Sequence, residues 1–168
     1  MEVKLRRWRL EDADALARII SNKKILDNLR DGLPYPYTKK DAEDYKSFVL
    51  SAGRDSQYIW AITVNDEIVG NIGFTRKDNI HRYTAEMGYY IAEPYWGKGI
   101  ATEAVKLGCA YIFENTDIIR IFAEPFADNL ASCRVLEKAG FTLEGVMRKN
   151  AVKNGEIRDM KLYSIVKD

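Results

Sequence analysis

Hydrophobic residues alternate with polar ones along several segments of the chain, which is typical of half-buried β-strands. The strands that this pattern predicts are Val3–Trp8, Tyr58–Val64, Glu67–Arg76, Tyr83–Ile91, Ile118–Glu124, Phe141–Lys153 and Glu156–Val166. The last two flank Asn154-Gly155, a typical type I′ hairpin turn, and Asn65-Asp66 joins an earlier pair. The chain therefore contains hairpins as well as isolated strands.

Other segments repeat their apolar residues at helical spacing. They predict helices at Glu11–Ser21, at Asn22–Leu29, from Thr38 to about Ala52, from Gly99 to about Glu114, and at Asn129–Lys138. In the first helix, Ala13, Leu16, Ala17 and Ile20 form the inner side. Gly140 stands where a helix commonly ends in a left-handed residue. Strands and helices thus mix in a single α+β pattern.

One junction between a strand and a helix is rich in glycine. The stretch Tyr95–Thr102 carries Gly97 and Gly99 directly before the longest predicted helix. Glycines let a backbone approach an anion closely, and the free N–H groups of a helix N-terminus favour negative charge. A P-loop does not fit, because Lys98 is followed by Gly99 and Ile100 rather than by Ser or Thr, and a dinucleotide fingerprint needs a third glycine where this chain has Thr102. We predict a pyrophosphate site, with an ordinary turn as the alternative.

The composition supports one compact domain over residues 1–168, since 46% of the residues are hydrophobic. Its 26 basic and 25 acidic residues leave a net charge of +1, which gives no reason to expect a nucleic acid or a membrane as partner. Cys109, Cys133 and His81 are too few for a zinc site, so we expect no metal. Without a signal peptide or a long apolar run, we expect a cytoplasmic, reduced protein.

The glycine turn is one of several segments that fit a single family pattern. The others are Asn28–Thr38, His81-Arg82, Ala85–Tyr89, Asn129 with Ser132, and Lys138–Phe141. Together they resemble the GNAT superfamily of N-acetyltransferases, and within it the RimJ/RimL-type branch of ribosomal-protein N-terminal acetyltransferases. Trp96–Ala101 occupies the family's acetyl-coenzyme A loop, Gln/Arg-x-x-Gly-x-Gly/Ala, with Trp96 in the first position.

The resemblance implies a mostly antiparallel seven-stranded sheet with helices on both faces, and acetyl-coenzyme A as co-substrate. In the family, the strand before the loop splays from its neighbour, and its backbone binds the pantetheine arm. Main-chain N–H groups there also polarise the thioester carbonyl. The implied coenzyme-binding residues are Tyr89, Ile91, Trp96, Gly97, Lys98, Gly99, Ile100, Ala101, Thr102, Asn129 and Ser132.

Two catalytic residues are also suggested. Ser132 is the candidate proton donor to the leaving thiolate, because the family's usual tyrosine position one turn later is Leu136. Without the resemblance, Asn129 and Ser132 are equally well explained as helix caps. Glu86 is the candidate base for the amine, and an ordinary ion-paired strand glutamate is the alternative.

Other residues give weaker indications. Some RimL-type enzymes have a glutamate at the position of Ala151, so its absence leaves the base and a ribosomal substrate open. His81 is a further titratable group, more typical of a polar loop, and Cys133 is more typical of a small buried residue than of a nucleophile.

The acceptor is predicted to be a primary amine, with a protein N-terminus favoured by the branch. In the family, the segment that here contains Asp27, Asp31, Tyr35 and Tyr37 covers the acceptor site, and its acidic and aromatic groups suit a cation. Acetylation of an amino acid, polyamine or antibiotic stays open, because function depends on the site rather than the fold. So do a non-catalytic coenzyme A sensor and the choice between monomer and homodimer.

Overall fold

A computed structural model describes residues 1–51 and 56–168 of the chain. Within these ranges the strands are β1 Val3–Arg7, β2 Gln57–Val64, β3 Glu67–Arg76, β4 Thr84–Ile91, β5 Arg120–Ala123, β6 Thr142–Lys153 and β7 Glu156–Val166. The helices are α1 Ala13–Ile20, α2 Lys23–Leu26, α3 Lys39–Ser51, α4 Ile100–Asn115 and α5 Leu130–Lys138. Every predicted strand and helix is present; β3 and β7 have the predicted bounds, and the other elements differ at one or both ends. The predicted end of the third helix, near Ala52, lies outside the described residues.

The seven strands form one sheet in the order β1-β2-β3-β4-β5-β7-β6. The neighbouring pairs are antiparallel except for β4 and β5, which run parallel. A parallel pair needs a crossover connection, and α4 lies within it. The expected α+β fold with a mostly antiparallel sheet is therefore confirmed, and α4 begins near the carboxyl end of β4.

Helices cover both faces of this sheet, as expected. On the face that we call the α4 face, α4 and α5 bury a core that includes Phe74, Ile112 and Leu136. On the opposite face, called the α1 face, a second core includes Leu16 and Ile25. Because strand side chains alternate, β4 directs residues 85, 87, 89 and 91 to the α4 face and residues 86, 88 and 90 to the α1 face.

The predicted turns have the expected geometry. Both Asn154 and Gly155 have positive φ, at 53° and 78°, as a type I′ turn requires. Asn65 and Asp66 repeat this geometry at 50° and 70°. Gly140 follows α5 with a φ of 98°, the left-handed conformation that ends many helices.

Two elements differ from the predicted pattern. The first helix opens with a 3₁₀ turn before α1, because the Asp12 carboxylate accepts the Arg9 N–H at 2.8 Å and is also held by Arg6. The register of β6 shifts between Met147 and Ala151. Such an irregularity bends the strand and redirects its side chains.

Among the described residues, no helix is long and apolar enough to cross a bilayer. The same residues contain no group of three His, Cys, Asp or Glu side chains that could hold a metal ion. Cys109 and Cys133 are both buried and free, so the expectation that Cys133 is a small buried residue is confirmed.

Candidate active site

The pairing of β4 with β5 extends over three residues and ends at Glu86 and Phe122. Beyond this point β4 continues to Ile91, still paired on its other side with β3. The β5 side of the last part of β4 therefore forms an edge next to the start of α4.

The backbone of Tyr89 and Ile91 faces this edge. In an antiparallel pair, the N–H and C=O of one residue point to the same side, and the side alternates along the strand. The Ala92 N–H donates to the Val69 carbonyl of β3 at 2.7 Å. The odd-numbered residues of β4 consequently direct their N–H and C=O groups toward β5, where an extended ligand can bind them as a strand would.

The glycine turn adjoins this edge. Gly97 and Gly99 have φ values of 74° and 80°, and a Cβ built on either one meets no atom within 4 Å. The turn is thus open to an approaching ligand. Gly99 is the N-cap of α4, and the first intrahelical bond runs from the Glu103 N–H to the Gly99 carbonyl at 3.2 Å. The N–H groups of the residues before Glu103 lie ahead of this bond and are available to an anion.

Trp96 connects the turn to β4. Its indole N–H donates to the Ile91 carbonyl at 2.7 Å, while 44% of the residue stays exposed. This bond occupies the Ile91 carbonyl and fixes where the turn leaves the strand. Lys98 lies beside the Tyr95 ring, 5.7 Å from its centroid, and supplies a positive charge near the turn.

The start of α5 brings Ser132 next to β4. Asn129 caps the helix, and its Oδ1 accepts the Ser132 N–H at 3.3 Å. The Ser132 hydroxyl lies 3.1 Å from the Tyr89 hydroxyl and shares a hydrogen bond with it. Burial raises the pKa of Tyr89 to about 12, more than the Ser132 bond lowers it. Two neutral hydroxyl groups therefore stand together on the α4 face, whereas Leu136 is fully buried.

Glu86 lies on the α1 face and is ion-paired. One carboxylate oxygen contacts Arg30, and the other lies 3.4 Å from Lys77 Nζ. The Glu86 side chain is 17% exposed, whereas that of Arg30 is 76% exposed. Glu86 is therefore an ion-paired strand glutamate, the alternative considered in the sequence analysis. Its role as base stays a prediction.

A cavity of about 270 Å³ opens at the carboxyl end of β5. It is enclosed by the segment after α2, the residues after β5 and the β6–β7 hairpin. Its lining consists of Leu29, Arg30, Asp31, Glu124, Phe126, Asn150, Ala151, Val152, Lys153 and Met160. The irregular part of β6 contributes Asn150 and Ala151, so the side chain at the position of the family's glutamate does face this cavity.

The segment after α2 forms one wall of the cavity through charged contacts. Lys153 Nζ donates to Asp31 at 2.9 Å, and Asn154 donates to Asp27 at 3.0 Å. Tyr37 is instead buried in the second core, and Tyr35 is exposed beside Lys23.

His81 is exposed in a 3₁₀ turn and does not line the cavity. Sequence reasoning passed over Glu124, Lys153 and Lys77. A signal for Glu124 was available, because it directly follows a strand of a parallel pair, and ligands commonly bind beyond the carboxyl ends of such strands. Lys77 and Lys153 contact Glu86 and Asp31, and no pattern in the sequence indicates these residues as partners.

Residues 2–142 match the acetyltransferase (GNAT) domain. The chain belongs to the GNAT family. Among its relatives, the uncharacterized N-acetyltransferase YoaA of Bacillus subtilis is 42% identical over 110 residues, 64% of this chain and 62% of YoaA. The match therefore spans less than two thirds of YoaA.

Solved structures of GNAT proteins share the fold. RimJ of Mycobacterium smegmatis in complex with CoA-disulfide has a TM-score of 0.88 and 26% identity, covering 98% of this chain and 81% of RimJ. RimL, a ribosomal L7/L12 α-N-protein acetyltransferase in complex with coenzyme A, has a TM-score of 0.86 and 26% identity, covering 99% of this chain and 94% of RimL. The resemblance to the RimJ/RimL-type branch is thereby confirmed, and both neighbours hold coenzyme A.

Proposed function

We propose that this GNAT-family chain transfers an acetyl group from acetyl-coenzyme A to a primary amine, by direct attack within a ternary complex. The observation that carries the proposal is the edge of β4 beside the glycine turn. An edge with the N–H and C=O of Tyr89 and the N–H of Ile91 suits an amide-containing arm, and the adjoining N-terminus of α4 suits a pyrophosphate.

The coenzyme phosphates are assigned to the turn from Trp96 to Thr102. Open space at Gly97 and Gly99 allows close approach, and the helix dipole of α4 adds to the free N–H groups. Trp96 holds the turn through Ile91, so it acts by positioning. Asn129, which caps the N-terminus of α5, is assigned to contact the coenzyme from the α5 side.

The thioester carbonyl is assigned to the edge N–H groups of β4. Negative charge grows on this oxygen when the amine attacks, and a fixed N–H donor stabilises it. The C–N bond forms as the C–S bond breaks, and the departing thiolate then takes a proton. Ser132 is the proposed donor, and the Tyr89 hydroxyl, 3.1 Å away, can return a proton to it.

The amine must lose a proton during the reaction, and Glu86 is the proposed acceptor, directly or through water. It lies on the α1 face, the face on which the acceptor cavity opens. Its Arg30 partner is mostly exposed, so that contact can open at little cost.

A protein N-terminus is the proposed acceptor. The name of RimL, which describes an α-N-protein acetyltransferase, supports this choice, and a cavity of about 270 Å³ has room for a group of amino-acid size.

An amine screen tests the proposal. Purified protein with acetyl-coenzyme A is offered short peptides with free N-termini, free amino acids and polyamines, and thiol release is followed together with the mass of the product. Acetylated peptide N-termini are the expected product. Coenzyme binding with no acetylated product from any amine would leave a non-catalytic coenzyme A domain and overturn the proposal.

A further inference from the structure

We infer that Glu124 binds the positively charged acceptor amine, and that the site selects acceptors carrying a single such charge. The inference rests on the proposed acetyl transfer and names the chemical class of its acceptor.

Glu124 differs from Asp31, the other carboxylate that lines the cavity, because Asp31 is paired with Lys153. The carboxylates nearby also have partners: Glu86 has Arg30, Asp128 has Arg158, and Asp27 accepts a hydrogen bond from Asn154. Within residues 1–51 and 56–168, Glu124 has neither an ion pair nor a side-chain hydrogen bond. The cavity therefore contains one carboxylate whose charge the described part of the protein leaves unpaired.

The surroundings of Glu124 favour the binding of a cation. The residue is half-buried, and it shares the cavity wall with the apolar side chains of Phe126, Ala151 and Met160. Removing an anion from water without a partner is unfavourable, so a bound cation gains more there than on an open surface. An ammonium group is the charged form in which an amine arrives.

The end of the β4–β5 pairing places Glu124 near the proposed site. Glu86 is level with Phe122 at the last residue pair of β4 and β5, and Glu124 follows Phe122 by two residues, where the two strands are no longer paired. A Cβ built on Gly88, two residues after Glu86 on β4, meets no atom within 4 Å, so the space above β4 is open there. An amine held by Glu124 is therefore placed at the gap that the edge formed by Tyr89 and Ile91 borders.

The number of positive charges on the preferred acceptor follows from the other residues that line the cavity. Arg30 and Lys153 also face the cavity, and each is paired with a carboxylate, Glu86 and Asp31 respectively. One unpaired carboxylate matches one ammonium group, whereas the further ammonium groups of a polyamine find no unpaired carboxylate among the described lining residues. A peptide N-terminus carries one such group, and its ordinary pKa of about 7.7–8.0 leaves a useful fraction as free amine near neutral pH.

The test compares Glu124→Gln with wild type on a short peptide acceptor and on spermidine. Glutamine keeps the shape and removes the charge. We expect KM for the peptide to rise about 10- to 100-fold, with a smaller change in kcat and no change in affinity for acetyl-coenzyme A. Glu124→Asp should recover part of the loss. Wild type should prefer the peptide to spermidine in kcat/KM.

A matched control is Glu114→Gln, which removes the same charge from the exposed last turn of α4, about 20 Å along the helix from the glycine turn. It should leave both KM values unchanged. An equal KM in Glu124→Gln and wild type would overturn the inference, and so would a wild-type preference for spermidine.

Calorimetric binding of the same peptide to the coenzyme A complex separates the two proposals. Peptide binding that depends on Glu124, without turnover, would sustain the inference and overturn the acetyl transfer. Turnover that does not depend on Glu124 would sustain the acetyl transfer and overturn the inference. The absence of both peptide binding and turnover would overturn both proposals.

Discussion

Replacing Gly99 with alanine tests whether the turn before α4 binds the coenzyme. Gly99 has a φ of 80°, and the left-handed conformation costs a residue with a Cβ about 1–2 kcal/mol. A Cβ at this position meets no protein atom within 4 Å, so the substitution adds no clash to the free protein. We therefore expect Gly99→Ala to fold, with its free energy of unfolding lowered by about 1–2 kcal/mol.

Gly155 provides a matched control. Its φ is 78°, and a Cβ there also meets no atom within 4 Å, but it lies in the β6–β7 turn. Gly155→Ala should lose about the same stability. In the proposed site, only the methyl group at Gly99 occupies space assigned to a phosphate, so we expect the Kd for acetyl-coenzyme A to rise about 10-fold, or roughly 1.4 kcal/mol, in that variant alone.

Titration calorimetry with acetyl-coenzyme A, together with urea unfolding of each variant, measures both quantities. If folded Gly99→Ala binds the coenzyme as tightly as wild type, the turn is an ordinary connection between β4 and α4. If Gly155→Ala weakens binding equally, the loss comes from general strain, and the phosphate assignment is wrong.

Three further predictions concern single side chains. Ser132→Ala should lower kcat by about 10²-fold while coenzyme affinity is kept, because Asn129 accepts the backbone N–H of Ser132 and the cap survives; unchanged kcat would leave Ser132 without a role as acid. Glu86→Gln should slow turnover near neutral pH and recover partly at higher pH, and pH–rate profiles that superimpose with wild type would exclude Glu86 as base. Arg120 lowers the pKa of Glu144 to about 2, so the contribution of this ion pair to the free energy of unfolding should be present above about pH 4.5 and be lost as pH falls toward 2. Urea unfolding of Glu144→Gln should show a loss of up to about 1 kcal/mol at pH 7 that vanishes near pH 2, and a loss independent of pH would contradict this assignment.

Local patterns were sufficient to predict most of the fold. Alternation located the strands, the two-residue turns at Asn65-Asp66 and Asn154-Gly155 set the hairpins, and Gly140 marked the end of α5. Each of these signals depends on a few neighbouring residues, so it can be recognised without knowing how the rest of the chain folds. The mostly antiparallel seven-stranded sheet followed from the resemblance rather than from such patterns, whereas the order of the strands and the parallel pairing of β4 with β5 are seen only in the structure.

The details of the site depend on contacts between distant segments. Glu86 and Arg30 lie 56 residues apart, and Lys153 meets Asp31 across 122 residues. Nothing in the local sequence encodes these partners, because they arise only when the segment after α2 packs against the sheet. The irregular register of β6 at Ala151 is likewise set by its pairing with β7, and a uniform strand was the natural prediction.

The alternation of β4 also constrains the proposed chemistry. Glu86 and Tyr89 are three residues apart on one strand, so their side chains lie on opposite faces of the sheet. Ser132 joins Tyr89 on the α4 face, whereas Glu124 and the acceptor cavity lie on the α1 side with Glu86. In the proposed mechanism, the proton removed from the amine is therefore not the proton that Ser132 gives to the thiolate, because the sheet separates Glu86 from Ser132. The proposed reaction is then completed across the gap beside β4, where the coenzyme arm, rather than a side chain, spans the two faces. With this separation, the proposal gives the central position to the backbone of β4 and not to a single side chain.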